Sequence, residues 1–222
     1  MWKLLVFSAV AAVSMMGQDP ARVRVLHASP DAPAVDIWVD GAKVLEGIPF
    51  REYSEYLPVP AGSRNIQVAV SGTTNIVLQA SPQLAAGRDY TAIAAGFATK
   101  SPALELLLLE DDNRDPANGN MRVRVVHAAP SAPGVDVYVT TPFETLDGKR
   151  PVLTAVPFKA VSGYLEVPYG TYQARVTPAG TRTVAIDSGR WSTWNLVVRT
   201  VVAVDNTGGG APFSLLLLAD KN

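Results

Sequence analysis

The sequence predicts an all-β protein built as two tandem immunoglobulin-like antiparallel β-sandwich domains, and three observations carry that prediction. The phrase RVRVLHASPDAPAVDIWVDG, beginning at Arg22, returns at Arg122 as RVRVVHAAPSAPGVDVYVT. Apolar residues alternate with a period of two, and no segment shows a 3.6-residue apolar stripe of helical length. The 17 prolines and 17 glycines are scattered along the 222 residues, as short strands joined by turns require.

The chain opens MWKLLVFSAVAAVSMMGQDP. Lys3 supplies a short positive region, and residues 4–16 form an uncharged apolar run. Spanning a bilayer takes about 20 residues, so the run is too short to cross and reads as a secretory signal peptide over residues 1–17. The mature chain is therefore expected to be exported, to the periplasm, the cell surface or the exterior, with no integral membrane span.

The first repeat is placed at residues 22–113. Val23, Val25 and His27 share one face of its opening strand, and Arg22, Arg24 and Leu26 share the other. Pro30 and Pro33 fix the loop that crosses to the next strand. There Val35, Ile37 and Val39 alternate with Asp36, Trp38 and Asp40, and Asp40-Gly41 is a hairpin signal. Further strands are expected at residues 55–60, 65–70, 75–79, 89–97 and 103–110. A linker follows at 114–120, and the second repeat runs from 121 to 222.

The repeat continues past the opening phrase. Pro49-Phe50 recurs as Pro157-Phe158, Tyr56-Leu57 as Tyr164-Leu165, and Gly87-Arg88 as Gly189-Arg190. An insertion follows Val139 in the second copy. The runs LELLLLE and FSLLLLA fit either a terminal strand buried on both faces or half of a contact between domains.

Nearly half the residues are apolar and the formal net charge is −1 with no basic block, which argues against nucleic-acid binding. The chain contains no cysteine, so thiol catalysis, disulfides and cysteine-ligated metal are excluded.

Both histidines, His27 and His127, fall at the same point of the repeated phrase. Alternation aims them inward with the valines, as neutral imidazoles bonded to the proline-rich loop. Zinc needs three or four converging ligands, and each repeat offers one histidine. A triad of His27, Ser29 and Asp36 is opposed by the second copy, where Ala129 replaces Ser29 while the rest of the phrase stays.

Between the repeats, LLLLEDDNRDPANGN offers alternating oxygens from Asp111, Asn113 and Asp115, with Glu110 beside them. Calcium takes six to eight such oxygens, so these four residues are the candidate calcium ligands, although the spacing is not that of an EF-hand. Trp191-Ser-Thr-Trp194 stands where the first repeat is read as having Asp89-Tyr-Thr-Ala92. One of these tryptophans is expected inside and the other outside, and Trp38 and Tyr138 fall on the outer face of their strands. Trp38 and Trp194 are the candidate ligand-binding aromatics.

The phrase His-Ala-(Ser/Ala)-Pro-x-Ala-Pro-x-Val-Asp, carried by His27, Pro30, Pro33, Val35 and Asp36 and again by His127, Pro130, Pro133, Val135 and Asp136, resembles the bacterial family called domain of unknown function 4397. The resemblance implies an exported, β-rich, often tandem module of the cell envelope and supplies no activity. The expected function is a non-enzymatic structural or binding module, calcium-stiffened between its domains, whose partner is an envelope protein or polysaccharide. The alternative is a carbohydrate-binding module using exposed aromatics. An exposed edge strand would allow a homodimer.

Overall fold

The computed structural model describes residues 19–221, so the signal-peptide reading lies outside the described residues. Among those residues there is no helix. The first half of the chain forms β1 (Ala21–Ala28), β2 (Val35–Val39), β3 (Ala42–Ile48), β4 (Leu57–Val59), β5 (Gly62–Ser63), β6 (Ile66–Val70), β7 (Ile76–Ala80), β8 (Gln83–Leu84), β9 (Asp89–Ala95) and β10 (Glu105–Asp111). The second half forms β11 (Asn120–His127), β12 (Val135–Thr140), β13 (Leu153–Val156), β14 (Leu165–Pro168), β15 (Thr171–Pro178), β16 (Ile186–Asp187), β17 (Trp191–Ser192), β18 (Val198–Val204) and β19 (Ser214–Lys221).

Each half stacks two sheets. The front sheet of the first half has the order β10-β9-β1-β4 and its back sheet β3-β2-β6-β7; the second half repeats these as β19-β18-β11-β14 and β13-β12-β15-β16. The sheets are not purely antiparallel, as the sequence reading expected: β1 runs parallel to β9, and β11 to β18. The reason is topological. The chain leaves the front sheet after β1, forms the β2–β3 hairpin of the back sheet, and returns to the front sheet's edge as antiparallel β4. It then completes the back sheet with β6 and β7 and re-enters at β9, on the other side of β1 and in its direction. Asp40 and Gly41 both adopt positive φ, which the tight β2–β3 hairpin demands.

Alternation along β1 serves two interiors. Ala21, Val23 and Val25 face back into their own half, packing on Val35, Ile37 and Val68. Leu26 and Ala28 face outward, yet they are fully buried, because the front sheets of the two halves lie face to face. Leu26, Ile93 and Ala95 meet Val126, Val202, Val204 and Leu218 there. The leucine runs follow the same logic: Leu106 and Leu108 pack into the core of the first half, and Leu107 and Leu109 pack against the second half. Of the two expectations for these runs, the contact between halves is met by Leu107, Leu109 and Leu218, while burial on both faces fails at Leu217, which is 43 % exposed.

The structure corrects one alignment. Arg22 N–H donates to Arg88 O at 2.8 Å, and the matching Arg122 N–H donates to Val197 O at 3.0 Å. The counterpart of Gly87-Arg88 is therefore Leu196-Val197, not Gly189-Arg190. Leu196 takes the left-handed backbone of Gly87, with φ of 63° against 66°, a position where glycine is the ordinary choice and whose loss hides the match in the sequence. By the same shift, Thr91 corresponds to Thr200, and the Trp191–Trp194 segment precedes the strand it was aligned with.

Candidate functional site

The histidines are sealed. His27 and His127 are each 1 % exposed. In His27, Nδ1 accepts from Ser29 N–H at 3.3 Å and Nε2 lies 3.0 Å from Pro33 O. His127 repeats this with Ala129 N–H at 3.3 Å and Pro133 O at 3.1 Å. An imidazole that accepts at Nδ1 must carry its proton at Nε2, so both rings are neutral donors to the proline carbonyl. Burial pushes both below the ordinary imidazole range, and the backbone carbonyl opposes it only in part. The Pro-Phe repeat completes the setting: Phe50 and Phe158 meet the two rings edge-on at 6.1 and 6.3 Å.

The phrase's aspartates are equally occupied. Asp36 accepts from Gly47 N–H at 2.9 Å and Gly72 N–H at 3.3 Å, and Lys43 Nζ lies 2.8 Å away. The Lys43 bond, followed by that of Gly47, holds this carboxyl well below the usual carboxylate range. Asp136 accepts from Ala155 and Gly180 N–H at 2.8 and 2.9 Å. Each aspartate ties its strand to a neighbouring strand, at Gly47 or Ala155, and to a turn, at Gly72 or Gly180, while Ser29 Oγ turns to Asp31 at 3.4 Å. His27, Ser29 and Asp36 form no triad.

A polar network that the sequence reading missed lies between the front sheets. Arg24 reaches across to Asp220, donates through Nη1 to Ala219 O at 2.9 Å, and donates through Nε to Thr91 Oγ1 at 2.9 Å. Arg124 mirrors it, reaching Asp111 at 2.5 Å, Glu110 O at 3.1 Å and Thr200 Oγ1 at 3.1 Å. Each aspartate is closed from its own half. Asp111 accepts from Thr91 and Tyr56 hydroxyls, both at 2.6 Å; Asp220 accepts from Thr200 at 2.6 Å and Tyr164 at 2.7 Å. The tyrosine rings also lie under the guanidiniums, Arg24 at 4.9 Å from Tyr56 and Arg124 at 4.7 Å from Tyr164. Burial, and then the neighbouring carboxylate, raises both phenols. The signal was present in the duplicated Arg-Val-Arg and Tyr-Leu pairs, but a charged residue in an alternating strand reads by default as solvent-facing.

Of the four calcium candidates, Glu110, Asp111 and Asn113 border one cleft and Asp115 does not. Asp111 is consumed by that network. Glu110 lies 3.6 Å from Arg88, Asn113 Nδ2 donates to Asp89 at 2.6 Å, and Asp115 accepts from Lys221 at 2.7 Å. Asp112, between them, is held well below the usual carboxylate range by Arg114 and then Arg122, each 2.7 Å away. Among the described residues no group of three or more His, Cys, Asp or Glu side chains is placed to hold a metal ion.

The aromatic candidates belong to different halves. Trp38 on β2 is half-buried, with Lys43 Nζ 5.5 Å above its ring. Its counterpart Tyr138 is buried rather than outward-exposed, because the insertion folds over that face. Leu146 of the insertion is itself buried, Phe143 N–H donates to Gln173 at 2.7 Å, and Arg182 donates to Leu146 O. Trp194 is 67 % exposed and Trp191 is half-buried.

Where the repeats diverge, the second half is open. Ile66 and Leu84 lie in the core of the first half. Ile66 pairs with Val39 as Ala174 pairs with Val139. Leu84 pairs with Gly62, as Thr193 bonds Gly170, and the threonine hydroxyl turns back to Gly170 N–H at 2.8 Å. The edge strand also shortens, from Ile76–Ala80 to Ile186–Asp187. The result is a cavity of about 220 Å³ between the sheets, lined by residues that include Val125, Val137, Leu153, Ala174, Trp191 and Leu215.

A family model described as Domain of unknown function (DUF4397) matches residues 21–138. No curated protein matches the chain. Among solved structures, an α-glucan-binding streptococcal virulence factor is similar at 10 % identity and a TM-score of 0.28, over 82 % of this chain and 92 % of that one. A family 26 carbohydrate-binding module from Eubacterium rectale, in complex with maltoheptaose, is similar at 7 % identity and a TM-score of 0.27, over 91 % and 97 %. A putative cell adhesion protein of Bacteroides fragilis is similar at 9 % identity and a TM-score of 0.26, over 90 % and 97 %.

Proposed function

The chain belongs to the DUF4397 family, whose description names no activity, and from that premise we propose that it is an exported, non-catalytic binding module of the cell envelope: a rigid paired scaffold whose binding end is the second half. One observation carries the reading. The polar residues present in both copies, His27 and His127, Asp36 and Asp136, and Arg24 and Arg124, have their hydrogen-bonding groups engaged inside the scaffold. Duplicated chemistry is structural here, and the residues that differ between the copies are left to carry specificity. They are the insertion, Trp194 and the open interior of the second half. No helix among the described residues is long and apolar enough to cross a membrane.

The test is co-sedimentation of the mature chain with isolated envelope polysaccharide and envelope membrane, beside an enzymatic screen with His27→Ala as control. Binding that tracks substitutions in the second half, and no activity that a folded His27→Ala variant loses, is the expected result. An activity abolished in that folded variant would overturn the reading. A second reading, stacking on a sugar ring, is favoured by the exposure of Trp194. Glycan-array binding lost on Trp194→Ala and kept on Trp38→Ala would select it.

A further inference from the structure

We infer that the cavity of the second half is a binding site for the alkyl chain of an amphiphile. The inference rests on the reading of the second half as the binding end and names what that end takes. The interior of a repeat has to be filled or wetted, and this one is neither filled as its twin is nor suited to water. A buried water needs two to four polar partners. The walls here are mostly valine, leucine and alanine side chains joined by Met121, Tyr172 and Trp191. The Tyr172 hydroxyl is spent on Pro168 O, and the one imidazole, His127, spends both nitrogens on Pro133 O and Ala129 N–H. An engineered apolar cavity of about 150 Å³ stays dry and takes up benzene; this one encloses about 220 Å³.

The shape of the site argues for a chain rather than a ring system. The space is a slot between two stacked sheets, which lie about 10 Å apart and therefore admit a slender occupant. It approaches the surface in two places. On the side of the edge strands β13 and β14, Val139, Val152 and Leu165 are 42, 50 and 38 % exposed, and all three line the cavity. At the side, beyond Trp191, a second opening shares Ala174, Trp191 and Leu215 with the first and is lined by Ser188, Asp187 and Arg190. That arrangement gives an alkyl chain an apolar bed and leaves its polar end at a wet mouth. The mouth carries both signs of charge, so the chain and not the head group is what the site recognises.

The first half supplies the control. Ala174→Ile with Thr193→Leu installs the residues that fill the first core, and should close the slot while adding stability, so a loss of binding cannot be put down to misfolding. The mature chain and this double variant are titrated with decanol and with decanoate, followed by Trp191 fluorescence and by melting temperature. The intact chain should bind both with comparable affinity, with Tm rising by about 5 °C at a hundredfold excess over Kd. The double variant should melt higher without ligand and bind both about tenfold more weakly or worse.

Binding that survives in the double variant would overturn the site, as would an intact chain that binds neither compound or binds decanoate alone. Envelope binding of the intact chain without alkyl binding would sink this inference and leave the broader reading standing.

Discussion

Ile66 and Leu84 lie in the closed core of the first half, while Ala174, at the place of Ile66, lines an open space between the sheets of the second half. At the contact between the halves the copies behave in the opposite way. Leu26 and Val126, Ile93 and Val202, and Leu109 and Leu218 answer one another across the interface. Arg24 and Arg124 exchange aspartates across it. The comparison teaches that the repeat keeps symmetry where the halves meet and departs from it where the second half faces outward.

The largest effect should come from breaking the symmetric part. Asp220→Ala takes its direct countercharge from the Arg24 guanidinium, buried with 1 % of its side chain exposed, and leaves only Asp111 at 4.0 Å, a carboxylate already bonded to Arg124. Losing one member of a buried ion pair costs about 3–5 kcal/mol, and urea unfolding should show a loss in that range. Asp111→Ala should cost a similar amount because its geometry is the mirror image. A loss below about 1 kcal/mol in either would show that the halves are not clamped by this network.

Next in size is the exchange inside the sandwiches. Ile66→Ala should destabilise by about 2–5 kcal/mol, since the close-packed first core cannot collapse around the void. Ala174→Ile should stabilise by about 0.5–2 kcal/mol, as cavity-filling changes do. Equal and opposite effects are not expected, because the second half has relaxed around its opening. If Ala174→Ile destabilises, the slot is not available volume.

The strand pattern was readable because it depends on local alternation: residues 23, 25 and 27 did face inward with the valines, and Asp40-Gly41 did turn. The doubled leucines offered a contact between the halves as one of two readings, and Leu107, Leu109, Leu216 and Leu218 make it. What escaped depended on partners far away in the chain. Arg24 sits 196 positions from Asp220, and nothing local distinguishes it from a surface arginine. The cavity escaped because it is a difference in volume at matched positions, and Leu196 in the place of Gly87 had shifted the alignment that would have exposed it.

Acid should weaken both halves. Each imidazole has its folded pKa lowered below the ordinary value of about 6.5 by burial. Stability contributed by the neutral rings is therefore present above that value and is lost as pH falls below it, because the unfolded chain takes up the proton more readily. Protonation also gives Nδ1 a hydrogen that opposes Ser29 or Ala129 N–H. Asp205 tempers the effect at His127 alone, so His27→Phe should flatten the acid limb of a pH–stability curve more than His127→Phe. Identical limbs in wild type and both variants would show that neither ring titrates with folding.

The smallest effect concerns the segment joining the halves. Calcium takes six to eight oxygens, yet Asp111 is closed by Arg124, Thr91 and Tyr56, Asp115 by Lys221, and Asp112 by two arginines. Among the described residues of that segment, Asn113 Oδ1 alone is buried without a hydrogen-bond partner, and one amide oxygen does not make a calcium site. A calcium ion would have to displace guanidiniums that already neutralise Asp111 and Asp112. Millimolar calcium should therefore move the melting temperature by no more than about a degree. A rise of several degrees, abolished by Asp115→Asn, would mean that the segment rearranges around the ion, and the junction would then be metal-stiffened rather than closed by its own arginines.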